Sequence, residues 1–492
     1  MLHTLVTRAS SSTLPIVVLE ADGYASWKKA QDRAIRRWID RSEFEPRGNR
    51  VLLVPGEEGP ARALLGKSDS GLWSWAGAAQ RLPPGRYRVE GELSRRDATD
   101  AAVGWALAAY RFGRYASGEA PATKELVWPA EADRAEARRL VRAIGRARDL
   151  INTPAEDLGP AELAEAVREV GKAHGARTRV VSGKPLREGF GAVHAVGRGS
   201  ERAPRLADLR WGDAKHPRLT IVGKGVCFDS GGLDLKNAAG MLRMKKDMGG
   251  AATALALAEL VMDAKLPVRL RLLIPAVENL PGPGALRPLD VIHTRKGLTV
   301  EVSNTDAEGR LILADALAEA DRESPELLVD VATLTGSARL AVGTEITPFF
   351  TNDRKLADVL AKHARRERDP VWRLPLHGGY RRHLDSRVAD LKNAPSTGLA
   401  GAITAALFLR EFVDDAERWL HLDIFGWIDH ARPGRPIGGD PSGLRAVWAT
   451  LKERYGRAPA ATDPKKRSSK QPSRRKASKK KASKRKTSKK KG

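Results

Sequence analysis

The chain has a single cysteine in 492 residues, Cys227. A lone thiol forms no internal disulfide and cannot build a thiolate metal cluster, so any metal must be held by oxygen or nitrogen. Long apolar runs are missing too. None approaches the roughly 18 residues that a membrane-spanning helix needs, which excludes that class. The opening stretch MLHTLVTRASSSTLPIVVLE lacks the basic start, apolar core and small-residue cleavage site of an export signal, so the expected compartment is the cytoplasm. No repeat recurs at a solenoid period, and the glycine-containing loop 189–199 lacks the full dinucleotide fingerprint.

What is abundant is positive charge, +26 overall, and it is unevenly spread. Residues 465–492 hold 16 Lys or Arg and no acid, leaving 70 bases against 60 acids, a net +10, over the other 464 residues. A segment so charged and so poor in apolar side chains cannot bury enough surface to offset the entropy of ordering, so 457–492 is expected to be a disordered tail. Such a tail could hold DNA or RNA by counterion release, without base preference. That reading competes with a solvated extension that aids solubility.

The length exceeds one domain, and the pattern before the tail suggests two. Residues 1–145 carry strand-like runs at 51–56 and 86–91 and a helix-to-loop stretch at 101–118, a small α/β domain. A basic amphipathic helix over 138–156 connects it to a second domain, 146–456. There, strands at 219–226, 268–277, 298–302 and 327–334 alternate with helices at 248–263 and 311–320. That order predicts an α/β fold on a mostly parallel sheet, with its site at the strand C-terminal ends.

Two loops there concentrate acids beside glycines: GKGVCFDSGGLDLKNAAGMLRMKKDMGG (223–250) and NTDAEGRL (304–311). In an extended backbone, Asp306 and Glu308 point to one face and can chelate together. With Asp229 and Asp247 they make four carboxylates, which repel one another in a low-dielectric cleft unless cations neutralise them. Two divalent ions would do so, and would activate water for hydrolysis. Taken singly, each acid reads as a solvated surface group; grouped beside glycine-rich loops, the residue pattern leaves both readings open.

NTDAEGRL resembles the signature octapeptide of the leucyl aminopeptidase family, the cytosolic two-metal exopeptidases, and GKGVCFDSGGLDLK with MKKDMGG is similar to that family's other metal-binding stretch. The likeness runs on through GWALAAYRFGRY (104–115), ARDLINTP (147–154), GAITAALFLREF (401–412) and WLHLDIFG (419–426). It implies a metal-dependent aminopeptidase with two zinc or manganese ions, short peptides with a free amino terminus as substrates, and a homohexamer. Lys224, Asp229, Asp247, Asp306 and Glu308 would be ligands, Lys224 as a neutral amine with depressed pKa. Lys236 would stabilise the oxyanion, and Arg310 would hold a bicarbonate acting as general base. Met244, Asn304, Thr333, Leu334 and Gly336 would lie near the substrate. The sequence departs from the family at Cys227, expected to pack rather than react, and at 438–447, where Pro441 stiffens a loop. A phosphatase or nuclease metal site is the weaker enzymatic alternative.

Overall fold

The computed structural model describes residues 1–456 apart from 58, 68–70 and 119–121. The basic tail, 457–492, lies outside the described residues. Residues 1–456 form one compact unit, built on two main sheets. The N-terminal sheet has six strands in the order Leu5–Val6, Lys124–Val127, Gly85–Glu90, Leu14–Leu19, Pro60–Gly66 and Val51–Pro55; all pairs are parallel except the last.

The larger sheet has nine strands. Its centre is parallel: Arg218–Gly223 lies between Arg269–Asn279 and Leu327–Ala332, and the latter pairs with Trp419–Asp423. Antiparallel neighbours flank that centre, Arg205–Trp211 on one side and Thr347–Phe350 on the other. The central strands are buried along almost their whole length, as expected where helices cover both faces. The helix Gly249–Asp263 is apolar nearly all round and correspondingly buried.

The strand read from the sequence as continuous over 219–226 is interrupted at Lys224. Arg218–Gly223 and Gly225–Asp229 both pair with Arg269–Asn279, and Lys224 sits between them with its N–H on Val331 O at 3.0 Å. Glycines on either side permit this. A Cβ on Gly223 would lie 2.6 Å from Ala251 Cα, and one on Gly225 would lie 2.5 Å from Pro275 O. The break lets a lysine sit where an unbroken strand would carry on through the sheet.

The connecting helix runs over Arg134–Asn152, capped by Asp133, whose side chain accepts from Glu136 N. Its Leu140, Val141, Ile144 and Ile151 are buried at helical spacing. The boundary expected at 145/146 falls inside this helix. On its buried side Arg148 is fully enclosed, donates to Asp440 Oδ1 at 3.0 Å and stacks on the Tyr110 ring at 5.3 Å. Elsewhere Trp73 donates to Arg368 O at 3.3 Å, and its ring packs under Arg435 and Arg445.

Breaking a buried ion pair on one side strands the other charge, which costs about 3–5 kcal/mol. Asp440→Ala is therefore expected to lower unfolding stability by about that amount in urea titrations. Loss of less than about 1 kcal/mol would mean that Arg148 finds another partner.

Candidate metal centre and cleft

Three carboxylates, Asp229, Asp306 and Glu308, bring ligand atoms within 4.8 Å of one another. They arrive from different elements. Asp229 ends a strand, Asp306 lies in the turn that follows the Thr299–Glu301 strand, and Glu308 is the first residue of the helix Glu308–Asp321. The expected extended i, i+2 arrangement of Asp306 and Glu308 is thus replaced by a turn running into a helix. The two side chains still converge, and the helix N-terminus favours the Glu308 charge.

Asp247 joins this group through Lys224, whose Nζ lies 2.6 Å from Asp247 Oδ2 and 3.0 Å from Glu308 Oε1. The amine donates its hydrogen bond to Thr333 O at 2.9 Å. Glu308 Oε2 is buried without any hydrogen bond, and Asp247 Oδ2 has only the Lys224 amine beside it. Lys236 contacts Asp229 Oδ2 at 2.7 Å and also meets Asp306. An orphaned, buried carboxylate oxygen within a three-acid cluster, with a fourth acid held only by an amine, is the donor set that a hard or borderline divalent cation takes. The residues fit metal.

The electrostatics agree. Burial, then the neighbouring Asp229 carboxylate, push Glu308 up to about 7. Burial also raises Asp229 and Asp306. Asp247 is held low because Lys224 and Lys246 outweigh its burial. The depressed amine expected of Lys224 is one with a dication beside it; with the carboxylates alone the balance runs the other way. Burial does work against its charge, but Asp247, Glu308 and Asp229 more than compensate, so its pKa is raised. A dication on the same carboxylates would have to displace that proton. Lys236 is likewise raised, Asp229 and Glu308 overcoming burial, in keeping with its expected charge.

The two acid loops are tied to each other. Asn279 donates to Asp229 Oδ1 at 2.8 Å and to Thr305 O at 3.1 Å. Asp234 Oδ2 accepts from Thr305 N at 2.7 Å, and Thr305 Oγ1 donates to Gly231 O at 2.6 Å. Arg310 is buried: Nη1 donates to Asn393 O at 2.6 Å, Nε has no partner, and burial lowers its guanidinium to about 10. Cys227 is enclosed, its Sγ 3.8 Å from Gly225 O, and burial pushes the thiol up.

A cleft of about 340 Å³ opens beside the carboxylates. Of the residues expected near a substrate, Met244, Thr333, Leu334 and Gly336 line it. Asn304 does not; its side chain accepts from Asp306 N at 2.7 Å and so shapes the turn that presents Asp306. The lining also includes Lys246, Arg339 and Phe425, which sequence reasoning did not single out. Nor did it find Asp423, whose oxygens accept from Leu334 N at 2.9 Å, Thr335 N at 3.1 Å and Thr335 Oγ1 at 2.7 Å. Its only sequence signal was a place in WLHLDIFG.

A carboxylate and lysine cluster at the C-terminal ends of a mostly parallel α/β sheet defines a metal-dependent hydrolase. The chain belongs to the cytosol aminopeptidase family: residues 146–446 match that family's catalytic domain, and 14–129 match the N-terminal domain of the M17 aminopeptidases. It is 45% identical over 313 residues to a probable cytosol aminopeptidase of Chlorobaculum tepidum, a match spanning 62% of either protein. Among solved structures it resembles the cytosol aminopeptidase of Coxiella burnetii, with a TM-score of 0.88 and 46% identity over 92% of this chain and all of that one. It also resembles the bottromycin maturation enzyme BotP in complex with Mn, with a TM-score of 0.80 and 33% identity over 90% of this chain and 100% of that one.

Gly309 follows Glu308, and a Cβ there would lie 2.4 Å from Lys224 Cε. Gly309→Ala is expected to displace the amine and cut hydrolysis of leucine amide at least about 100-fold, with the circular dichroism spectrum retained. Unchanged hydrolysis would show that Lys224 need not stand where it does.

Proposed function

We propose that this metal-dependent aminopeptidase holds two divalent ions and removes the first residue of short peptides with a free amino terminus. The observation that supports the reading is the convergence of Asp229, Asp306 and Glu308, with Glu308 Oε2 buried and unsatisfied and Asp247 held close by through Lys224. Asp229 and Glu308 would serve both ions, Lys224 and Asp247 one of them, and Asp306 the other. When bound, the ions would activate a water and polarise the scissile carbonyl.

The chain's own groups supply the rest. A peptide ammonium is attracted to the acidic end of the cleft at Asp247, which accounts for action at the amino terminus only. Lys236, kept charged by Asp229 and Glu308, would turn its ammonium to the oxyanion that develops on the carbonyl. The unpartnered Nε of Arg310 would hold a planar two-oxygen anion such as bicarbonate, which when bound would supply the general base.

Manganese or zinc fits a site of carboxylates with one amine, and the Mn complex of BotP favours manganese as the first ion to try. Among the described residues, no helix is long and apolar enough to cross a membrane. A cytoplasmic homohexamer acting on short peptides completes the reading, in line with relatives named cytosol aminopeptidases.

Protein dialysed against a chelator and reloaded with Mn²⁺ should bind two ions per chain by elemental analysis and hydrolyse leucine amide. Glu308→Gln should lower the bound metal to one ion or fewer and abolish hydrolysis. Turnover of a phosphodiester but not the amide, or amide hydrolysis indifferent to the chelator, would overturn the proposal.

A further inference from the structure

We infer that the first residue this enzyme prefers to remove is acidic, aspartate or glutamate, its carboxylate received between Lys246 and Arg339. The inference rests on the aminopeptidase reading of the same cleft and names its substrate class.

Lys246 is only 6% exposed and lines the cleft. Its Nζ lies 5.1 Å from the Phe425 ring centroid, and the Arg339 guanidinium carbon lies 4.8 Å from the same centroid. Among the described residues, neither side chain forms an ion pair or donates a hydrogen bond, although both border the cleft. The neighbouring acids are committed elsewhere: Asp423 has both oxygens on Leu334 and Thr335, and Asp247 stands against Lys224.

Two cations drawn to one aromatic ring repel each other, and a buried ammonium without an ion-pair partner is costly. Such an arrangement is retained where an anion completes it. Met244 and Leu334–Gly336, expected near the substrate, line the same cleft as these cations. A carboxylate arriving there would gain charge-assisted hydrogen bonds from both head groups. A leucine side chain would leave both unpaired.

The test uses the full-length, Mn²⁺-loaded protein and a panel of amino-acid amides. These substrates carry no C-terminal carboxylate, so any anion preference is read at the first side chain. Glutamate amide is expected to exceed its isostere glutamine amide at least about tenfold in kcat/KM. Lys246→Met should lower that Glu/Gln ratio about tenfold or more, and Arg339→Gln, at an exposed position on a short helix, should lower it in the same direction. The inference alone is overturned if leucine or alanine amide leads the panel while glutamate amide is poor, or if both variants leave the ratio unchanged. If the wild-type protein hydrolyses no amide, the aminopeptidase reading falls and takes the inference with it.

Discussion

Mutual repulsion among buried carboxylates is the constraint around which this protein is arranged. Two like charges about 4 Å apart interact by about 4 kcal/mol even at an effective dielectric near 20, and here four acids share one end of a cleft. Lys224 and Lys236 offset part of that repulsion, but Glu308 still titrates near 7 because burial and Asp229 disfavour its charge. A side chain left in that condition is ready for a stronger counter-charge than an ammonium. The same repulsion explains how firmly each acid is held: Asp229 accepts from Gly231 N and Asn279, and Glu308 heads a helix. Without such fixed donors the carboxylates would swing apart into solvent.

Holding them requires that separate chain segments not drift. The loop after Asp229 and the loop before Glu308 are joined by Asp234, Thr305 and Asn279. Asn393 extends the link, accepting from Ser303 N at 2.8 Å and donating to Asn304 O at 2.7 Å while its own carbonyl receives Arg310. Asn279, Thr305 and Asn393 are buried, and a half-satisfied network of this kind would be worse than an apolar one. The third wall, 333–336, is pinned by Asp423 from the end of its own strand. Preorganisation in this cleft is therefore a property of second partners rather than of the acids themselves.

The parts of this plan that could be read from the sequence are those with local signatures. Helical and strand periodicity marked the catalytic α/β layers, and two motifs carried every acid that meets in the centre. Geometry between neighbours in sequence was less legible: the alternation rule gave Asp306 and Glu308 a common face for the wrong reason, since the chain turns into a helix there. The break at Lys224 was hidden because GKG reads as part of an apolar run, and only the approach of Ala251 and Pro275 from distant segments reveals why both glycines are needed. Lys246 escaped notice for a similar cause. Beside Asp247 it reads as one more lysine in MKKD, and its enclosure by Phe425 is a long-range fact.

The N-terminal part shows how a segment can matter to a reaction without touching it. Among the described residues, no cleft-lining side chain precedes Lys224. Its grip falls instead on the loops around the C-terminal helix, where Trp73 lies under Arg435 and Arg445 and Arg96 pairs with Glu367 at 3.4 Å. Asp369, two residues on, accepts from Gly443 N and Arg445 N and so caps the start of the helix Leu444–Tyr455. The preceding Asp440 takes the buried Arg148 of the connecting helix. Contacts from the first 130 residues thus reach the same loops that anchor the start of the C-terminal helix, so the two parts of the chain are held by shared groups rather than by a separate interface.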